Sequence, residues 1–418
     1  MEQIKHSIVV IGGGPAGMAA AVAAFDAGVQ DVVILDREEQ PGGILKQCIH
    51  NGFGLHKLGR ELTGPEYAAV YEQQVLSRGI KIYRETTAIS LSKERVVLAQ
   101  SKQGILKIEA GAVVLAMGCR ERSRGALNIP GTRPAGVYSA GTAQKLMNCD
   151  GFAVGKRVVV LGSGDIGLIM ARRLTLEGAK VEAVCELLPY SGGLKRNIVQ
   201  CLQDYNIPLY LSTTVAEIHG AKRVEGVTVA KVDENRQILP ETKRFIPCDT
   251  LLLSVGLIPE NELTRGAGIA LDPVTGGAAV DENRQTDAPG IFACGNVLQV
   301  HDLVDYVSDE AELAGKGAAG FVLGSLPGGD LAATKAGPGV RYVLPQKVHS
   351  GCVKPVALFL RVSRPMGKVK YTVCSGGVEL THCTRLKAAP GEMEKIVLQP
   401  QQLQKAENEI TVSLEELK

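Results

Sequence analysis

HSIVVIGGGPAGMAAAVAAFDAGVQDVVILDRE, residues 6–38, runs from a β-branched apolar stretch into Gly12, Gly14 and Gly17, then an alanine-rich stretch, then a second apolar run that closes on Asp36. The apolar runs are short and β-branched and read as strands, and the alanine-rich stretch reads as the helix between them. A strand–helix–strand order in this length is a βαβ unit with parallel strands. In such a unit the first glycine permits the tight turn, the second lets a pyrophosphate approach the backbone, and the third lets helix and strand pack closely. The helix N-terminus then offers unpaired N–H groups and a positive dipole end to phosphate. Asp36, followed by Arg37, is placed to accept the ribose hydroxyls of an adenosine half.

The pattern returns at residues 155–186, GKRVVVLGSGDIGLIMARRLTLEGAKVEAVCE, where Gly162, Gly164, Asp165, Ile166 and Gly167 follow a strand and Glu186 stands where Asp36 does. Each unit is later followed by an apolar strand ending in glycine, AVVLAMG at 112–118 with Gly118 and TLLLSVG at 250–256 with Gly256. The chain is therefore expected to hold two nucleotide-binding units, and the repeat extends through whole domains. A carboxylate at Glu186 binds a free 2′-hydroxyl and repels a 2′-phosphate. Leu187 and Leu188 stand where an arginine for that phosphate would be expected, so NADH is favoured over NADPH at the second unit. Lys195 and Arg196 lie downstream, within reach of a phosphate.

With 418 residues, 45% hydrophobic and 22% charged, the chain is that of a folded protein of two or three domains. Its 46 basic and 44 acidic residues nearly balance, so no global field draws it to nucleic acid or an anionic membrane. The ten cysteines (48, 119, 149, 185, 201, 248, 294, 352, 374 and 383) include no CxxC or CxC pair, so no metal site is expected and a reducing cytoplasm fits best. Ser7–Phe25 carries no charge and has about the length of a membrane span. Its GGGP centre breaks a helix and no basic segment precedes a cleavage site, so no direct membrane span is expected.

A third segment, GGAAVDENRQTDAPGIFACGN at 276–296, is a strand ending in Gly295 and Asn296, and it leads into a helix containing DEAELAGKGAAG. The order of GxGxxG with acid, glycine-ended strand, second GxGxxG with acid, second glycine-ended strand and TxxPGIFAxG resembles the two-dinucleotide-domain flavoproteins of the pyridine nucleotide-disulfide oxidoreductase superfamily, over residues 5 to about 325. The resemblance implies an α/β fold of two Rossmann-like domains, the NAD domain inserted in the FAD domain. It implies an FAD-dependent oxidoreductase in which hydride passes between NAD(H) and FAD. Gly12, Gly14, Pro15, Ala16 and Gly17 would meet the FAD pyrophosphate and Asp36 and Arg37 its adenosine end. Gly43, Gly118, Gly295, Asn296 and Val304 would line the rest of the cofactor. Asn296 stands where the family usually has aspartate; its amide can both accept and donate. Gly162, Gly164, Asp165, Ile166, Gly167, Glu186 and Gly256 would hold NAD(H).

The disulfide reductases of the superfamily carry CxxxxC or CxxC, and neither spacing occurs here, so dithiol exchange is not expected. GGILKQCIHNGFG, residues 42–54, holds one cysteine, Cys48, beside Lys46 and His50. A single-cysteine NADH peroxidase or oxidase cycling through a sulfenic acid is one reading of Cys48. A small buried hydrophobe is the other. His50, His56 and His301 are candidate acids or bases because imidazole changes charge near neutral pH. The loop as a whole resembles flavoprotein subunits of amino-acid or amine dehydrogenases and oxidases, and proteins that accompany glycerol-3-phosphate dehydrogenase. Such proteins act on a small-molecule substrate or pass electrons to an acceptor protein, as homo- or hetero-oligomers. An electron-relay or structural subunit without a substrate of its own is a third reading.

The expected FAD domain is discontinuous, 1–122 and 257–330, with the NAD domain at 123–256. Residues 324–339, GSLPGGDLAATKAGPG, read as a linker. Alternating runs such as VALFLRV, KVKYTVCS and EITVSL then predict a small antiparallel β domain over 340–418, suited to docking or oligomerisation.

Overall fold

A computed structural model describes residues 2–326 and 328–417. It holds two compact units, Met1–Cys119 with Pro259–Lys418, and Arg120–Ile258.

The first unit grows from the quoted segment. Glu2–Ile11 and Val32–Leu35 are parallel strands joined by the helix Pro15–Asp26, so the uncharged stretch is strand, turn and helix. The sheet runs Lys81–Tyr83, Val32–Leu35, Glu2–Ile11, Gly104–Leu115, then Val96–Ser101 and Thr87–Leu91 as an antiparallel extension. Gly104–Leu115 is a shared strand: its first half pairs with Val96–Ser101, and Val113, Val114 and Leu115 pair in parallel with Ile291, Phe292 and Ala293. Successive residues of a strand point to opposite faces, and both faces here are covered. Ile8, Val10, Ile34 and Val114 enter the core beneath the helices, while Val9, Ile11, Val33 and Leu115 enter a second core on the other side. The small residues of Pro15–Asp26 have a packing reason. This helix lies against Val304–Val322 so closely that a Cβ on Gly315 would sit 2.1 Å from the Ala20 carbonyl oxygen.

The C-terminal strands form two sheets around one core that includes Leu358, Leu360, Tyr371, Val373, Ile410 and Val412. Two expectations change here. Leu331–Ala336 is a strand and not a linker, and it pairs in parallel with Glu409–Glu416, so the domain is not wholly antiparallel. The alanines and glycines around it hide the strand, because its backbone partners come from the far end of the chain. Among the described residues no helix is long and apolar enough to cross a membrane.

The second unit repeats the plan. Five parallel strands lie in the order Val137–Ser139, Thr250–Leu253, Arg157–Leu161, Lys180–Cys185 and Leu209–Tyr210. The helix Asp165–Leu176 covers one face, and an antiparallel meander, Thr213–His219, Gly226–Lys231 and Arg244–Pro247, supplies Val215, Ile218, Val227 and Val229 to the core on the other.

Candidate functional site

In the first unit the strand Glu2–Ile11 ends at Gly12, whose φ of +110° is open to glycine alone at low cost, and a Cβ there would lie 2.4 Å from the Ala116 carbonyl oxygen. A Cβ on Gly17 would lie 1.7 Å from the Gly12 carbonyl oxygen, so helix and strand touch through bare backbone. At Gly14 and at Gly118 a Cβ would meet nothing within 4 Å. The loop is thus closed behind and open in front, which fits a phosphate group approaching its N–H groups. Gly43 and Gly295 join it: a Cβ on Gly43 would be 3.2 Å from the Gly14 Cα, and one on Gly295 2.7 Å from the Ala16 Cβ. Asp36 is 6% exposed beside the loop, and its Oδ1 accepts the Glu38 N–H at 3.0 Å. Burial raises its carboxyl above the ordinary aspartate value. Arg37 is instead exposed, 3.8 Å from Glu38.

Beneath Gly295 lies a buried charge cluster that the sequence does not announce. Glu310, fully buried on the helix Val304–Val322, accepts the Gly295 N–H at 3.1 Å and the Gln299 side-chain amide at 3.0 Å. Arg284 Nε stands 3.3 Å from one of its oxygens and His301 Nε2 3.3 Å from the other. Burial opposes the Glu310 charge, yet His301 and Arg284 hold its carboxyl below the usual glutamate value. The candidate base His301 therefore has a side chain only 1% exposed, and its backbone N–H donates to Asn296 Oδ1 at 3.0 Å. Asn296 Nδ2 faces Cys119 Sγ at 3.6 Å.

The loop 42–64 is pinned to the same helix. Gly43–Gln47 forms a short 3-10 turn capped by Cys48, whose Sγ lies 3.3 Å from the Ile44 carbonyl and whose own carbonyl accepts the Gly64 N–H. His50 Nδ1 is 3.0 Å from the Asn51 carbonyl, and its ring packs on Phe53. The His56 N–H donates to Asp305 Oδ2 at 3.0 Å, and Lys57 lies 2.6 Å from both Asp309 and Glu312. Asp305 Oδ1 is buried without a hydrogen-bond partner, in the first turn of the helix that starts at Val304. A buried polar atom left unpaired where the loop 42–64 meets this helix fits a site meant to be completed by a cofactor. Periodicity shows that Asp305, Asp309 and Glu310 share a helix with small apolar residues, but not which of them are buried.

In the second unit Gly162 (φ +101°) abuts the Ser254 carbonyl, Gly167 abuts the Gly162 carbonyl, and Gly164 is open, repeating the first loop position by position. Glu186 accepts the Ser163 N–H at 2.9 Å and its hydroxyl at 2.6 Å, and its other oxygen accepts the Leu188 N–H at 3.0 Å. Asp165 Oδ1 accepts the Leu194 N–H at 2.8 Å and the Asn197 amide at 2.6 Å. Ile166 packs against the core of this unit. At Gly256 the carbonyl accepts the Arg122 N–H.

Burial pushes the Cys185 thiol up to about 12 and the Cys201 and Cys248 thiols up to about 11, which removes them as nucleophiles near neutral pH. No metal ligand set is expected from the sequence. The structure does bring Asp281, Glu282 and His349 within 4.8 Å of one another. Asp281 Oδ1 already accepts the Asn283 and Gln285 N–H groups, and Glu282 already pairs with His349 Nδ1 at 2.9 Å.

Residues 6–314 match the sequence profile of the family described as pyridine nucleotide-disulphide oxidoreductase. One component of the opine oxidase of Agrobacterium tumefaciens (strain Ach5) is 27% identical over 70% of this chain and 61% of its own length. One component of the alkyl hydroperoxide reductase of Xanthomonas campestris pv. phaseoli is 29% identical over 70% of this chain and 52% of its own. The chain thus spans only 61% and 52% of the length of these two curated relatives. Among solved structures, thioredoxin reductase of T. acidophilum superposes with a TM-score of 0.62 at 24% identity, covering 75% of this chain and 98% of that one, a likeness of fold.

Proposed function

The chain belongs to the pyridine nucleotide-disulphide oxidoreductase family, and from that premise we propose that it is an FAD-dependent oxidoreductase linked to NAD(H). The observation that carries this reading is the repetition of one loop design in the two units: a glycine closed against the next strand, an open glycine in front, and a buried acid behind, Asp36 in one and Glu186 in the other. FAD and NAD(H), when bound, supply hydride transfer between flavin and nicotinamide rings. The chain's own part is to bind and to align. Gly12, Gly14, Pro15, Ala16 and Gly17, with Gly43 and Gly295, hold the FAD phosphates, and Asp36 accepts from its ribose. Glu310 holds the Gly295 turn from beneath. Asp305 and the loop 42–64 complete the flavin side, where Lys46, Cys48 and His50 lie nearest to a substrate. Gly162, Gly164, Gly167 and Glu186 hold NAD(H), the carboxylate favouring the unphosphorylated ribose.

The likeness to one component of an opine oxidase supports amino-acid or amine oxidation beside a partner protein; glycerol 3-phosphate is the second substrate class to test. Scattered cysteines without a paired motif support a reducing, cytoplasmic setting. The test is anaerobic mixing of the purified holoprotein with NADH and, separately, NADPH. The flavin absorbance is expected to bleach faster with NADH, and a flavin that bleaches with neither nucleotide refutes the proposal. Reoxidation by candidate acceptors, or reduction by amino acids, amines and glycerol 3-phosphate, then identifies the second half-reaction.

A further inference from the structure

The second glycine loop carries a feature that the first lacks. Its helix opens on a carboxylate, Asp165, at the end where a phosphate would be attracted, whereas the first helix opens on Pro15 and has no acid in its first turn. The carboxylate is not idle: Asp165 Oδ1 takes the Leu194 N–H at 2.8 Å and the Asn197 side-chain amide at 2.6 Å. Leu194 is the N-cap of the helix Lys195–Cys201 and has no side chain able to cap it; Asp165, from another helix, instead holds the start of this one by the Leu194 backbone N–H and the side chain of Asn197. A second stitch lies nearby, where the Ser191 hydroxyl donates to the Ser163 carbonyl at 2.9 Å. Between the stitches Gly193 has no room for a side chain: a Cβ would lie 2.6 Å from Leu168 Cδ1, 3.0 Å from the Ser163 carbonyl oxygen and 3.1 Å from Asp165 Oδ1. Every one of these bonds lands on Ser163 or Asp165, the two residues flanking the open Gly164. Ser163 is in turn held by Glu186. Residues 190–197 are therefore a strap fastened to the glycine loop itself, with Lys195 and Arg196 exposed between the two groups that donate to Asp165.

We infer that Asp165 is a positioning residue for the second dinucleotide: it spends its charge on the strap, and the fastened strap forms the wall against which the dinucleotide binds at Gly164. This rests on the proposal that the second unit takes NAD(H). The test uses the full-chain holoprotein and ADP-ribose, which has the phosphates and ribose but no nicotinamide to react. Calorimetry is expected to show ADP-ribose bound at least tenfold more weakly by Asp165→Ala. Asp165→Asn, which keeps the Oδ1 acceptor, is expected to stay within threefold of the wild type. Trypsin should cut after Lys195 or Arg196 faster in Asp165→Ala, with excess ADP-ribose slowing the cut. Should Asp165→Ala fail to fold, Ser191→Ala removes the other stitch and carries the same expectation. ADP-ribose bound by Asp165→Ala as tightly as by the wild type, or more tightly, overturns the inference. A wild type that binds no ADP-ribose overturns the nucleotide assignment of the unit and the inference with it.

Discussion

Replacing Glu310 by glutamine removes the charge buried under the Gly295 turn and keeps the shape. Arg284 and Glu310 are 1% and 0% exposed and 3.3 Å apart, so the substitution strands a guanidinium and turns an amide toward His301. Removing one partner of a buried ion pair costs about 3–5 kcal/mol, because the other charge is left uncompensated. At about 2–4 °C per kcal/mol, a thermal scan of the apoprotein should fall on the order of 10 °C. Glutamine retains one carbonyl oxygen for either the Gly295 N–H or the Gln299 amide but not both, so the turn loosens and FAD should be released faster from the holoprotein. The double variant Arg284→Met/Glu310→Gln removes the stranded charge and should recover part of the loss. An unchanged melting temperature in Glu310→Gln, or a double variant whose loss is the simple sum of the two single losses, refutes this account of the cluster.

Burial lifts the Asp281 carboxyl to about 6 from an ordinary value of 3.8, with the neighbouring Glu282 charge adding to the lift. The folded chain then binds more protons than the unfolded one between those values, so this residue's contribution to stability falls as pH rises through that window, by about 3 kcal/mol in all. Asp281→Asn, which keeps an oxygen for the Asn283 and Gln285 N–H groups, should flatten that fall and gain stability at neutral pH; urea midpoints that keep the wild-type pH dependence would count against it. Gly164→Ala should leave the thermal melt unchanged and weaken NADH at least tenfold by equilibrium dialysis, because its methyl group points into open space in front of the loop. In Gly17→Ala the methyl group meets the Gly12 carbonyl instead, so loss of bound FAD in the purified protein is expected, and a full flavin content would contradict the packing described. Cys48→Ser is expected to keep NADH-dependent flavin reduction, and full peroxide turnover in that variant would eliminate a thiol mechanism.

The two glycine loops are legible because their chemistry is local. Turn, close approach and acid all fall within one βαβ stretch, and glycine is the residue whose absence of a side chain is itself the signal. The C-terminal strands from Val356 onward are legible for a similar reason, since alternation is a property of one run of residues. What stays hidden depends on partners distant in sequence. Leu331–Ala336 is a strand only because Glu409–Glu416 lies beside it. Glu310 resembles its helical neighbours Asp309 and Glu312, yet it faces Arg284 and His301 inside while they face Lys57. Asp165 reads from its own stretch as part of a phosphate loop, and nothing there shows that its carboxylate is committed to residues 194 and 197.

The shared strand Gly104–Leu115 also sets an order of assembly. Its last three residues take Ile291–Ala293 as a neighbour, a partner that the ribosome delivers only after the whole of Arg120–Ile258 has emerged. The second unit is one unbroken stretch of chain, so it can complete its five-stranded sheet while synthesis continues. The first unit meanwhile waits with Val113–Leu115 of its shared strand unpaired on one edge and its long helix, Val304–Val322, not yet made. During that interval the apolar face of Pro15–Asp26 lacks the helix it is shaped for. The FAD site proposed above cannot be fully enclosed until Val304–Val322 has emerged.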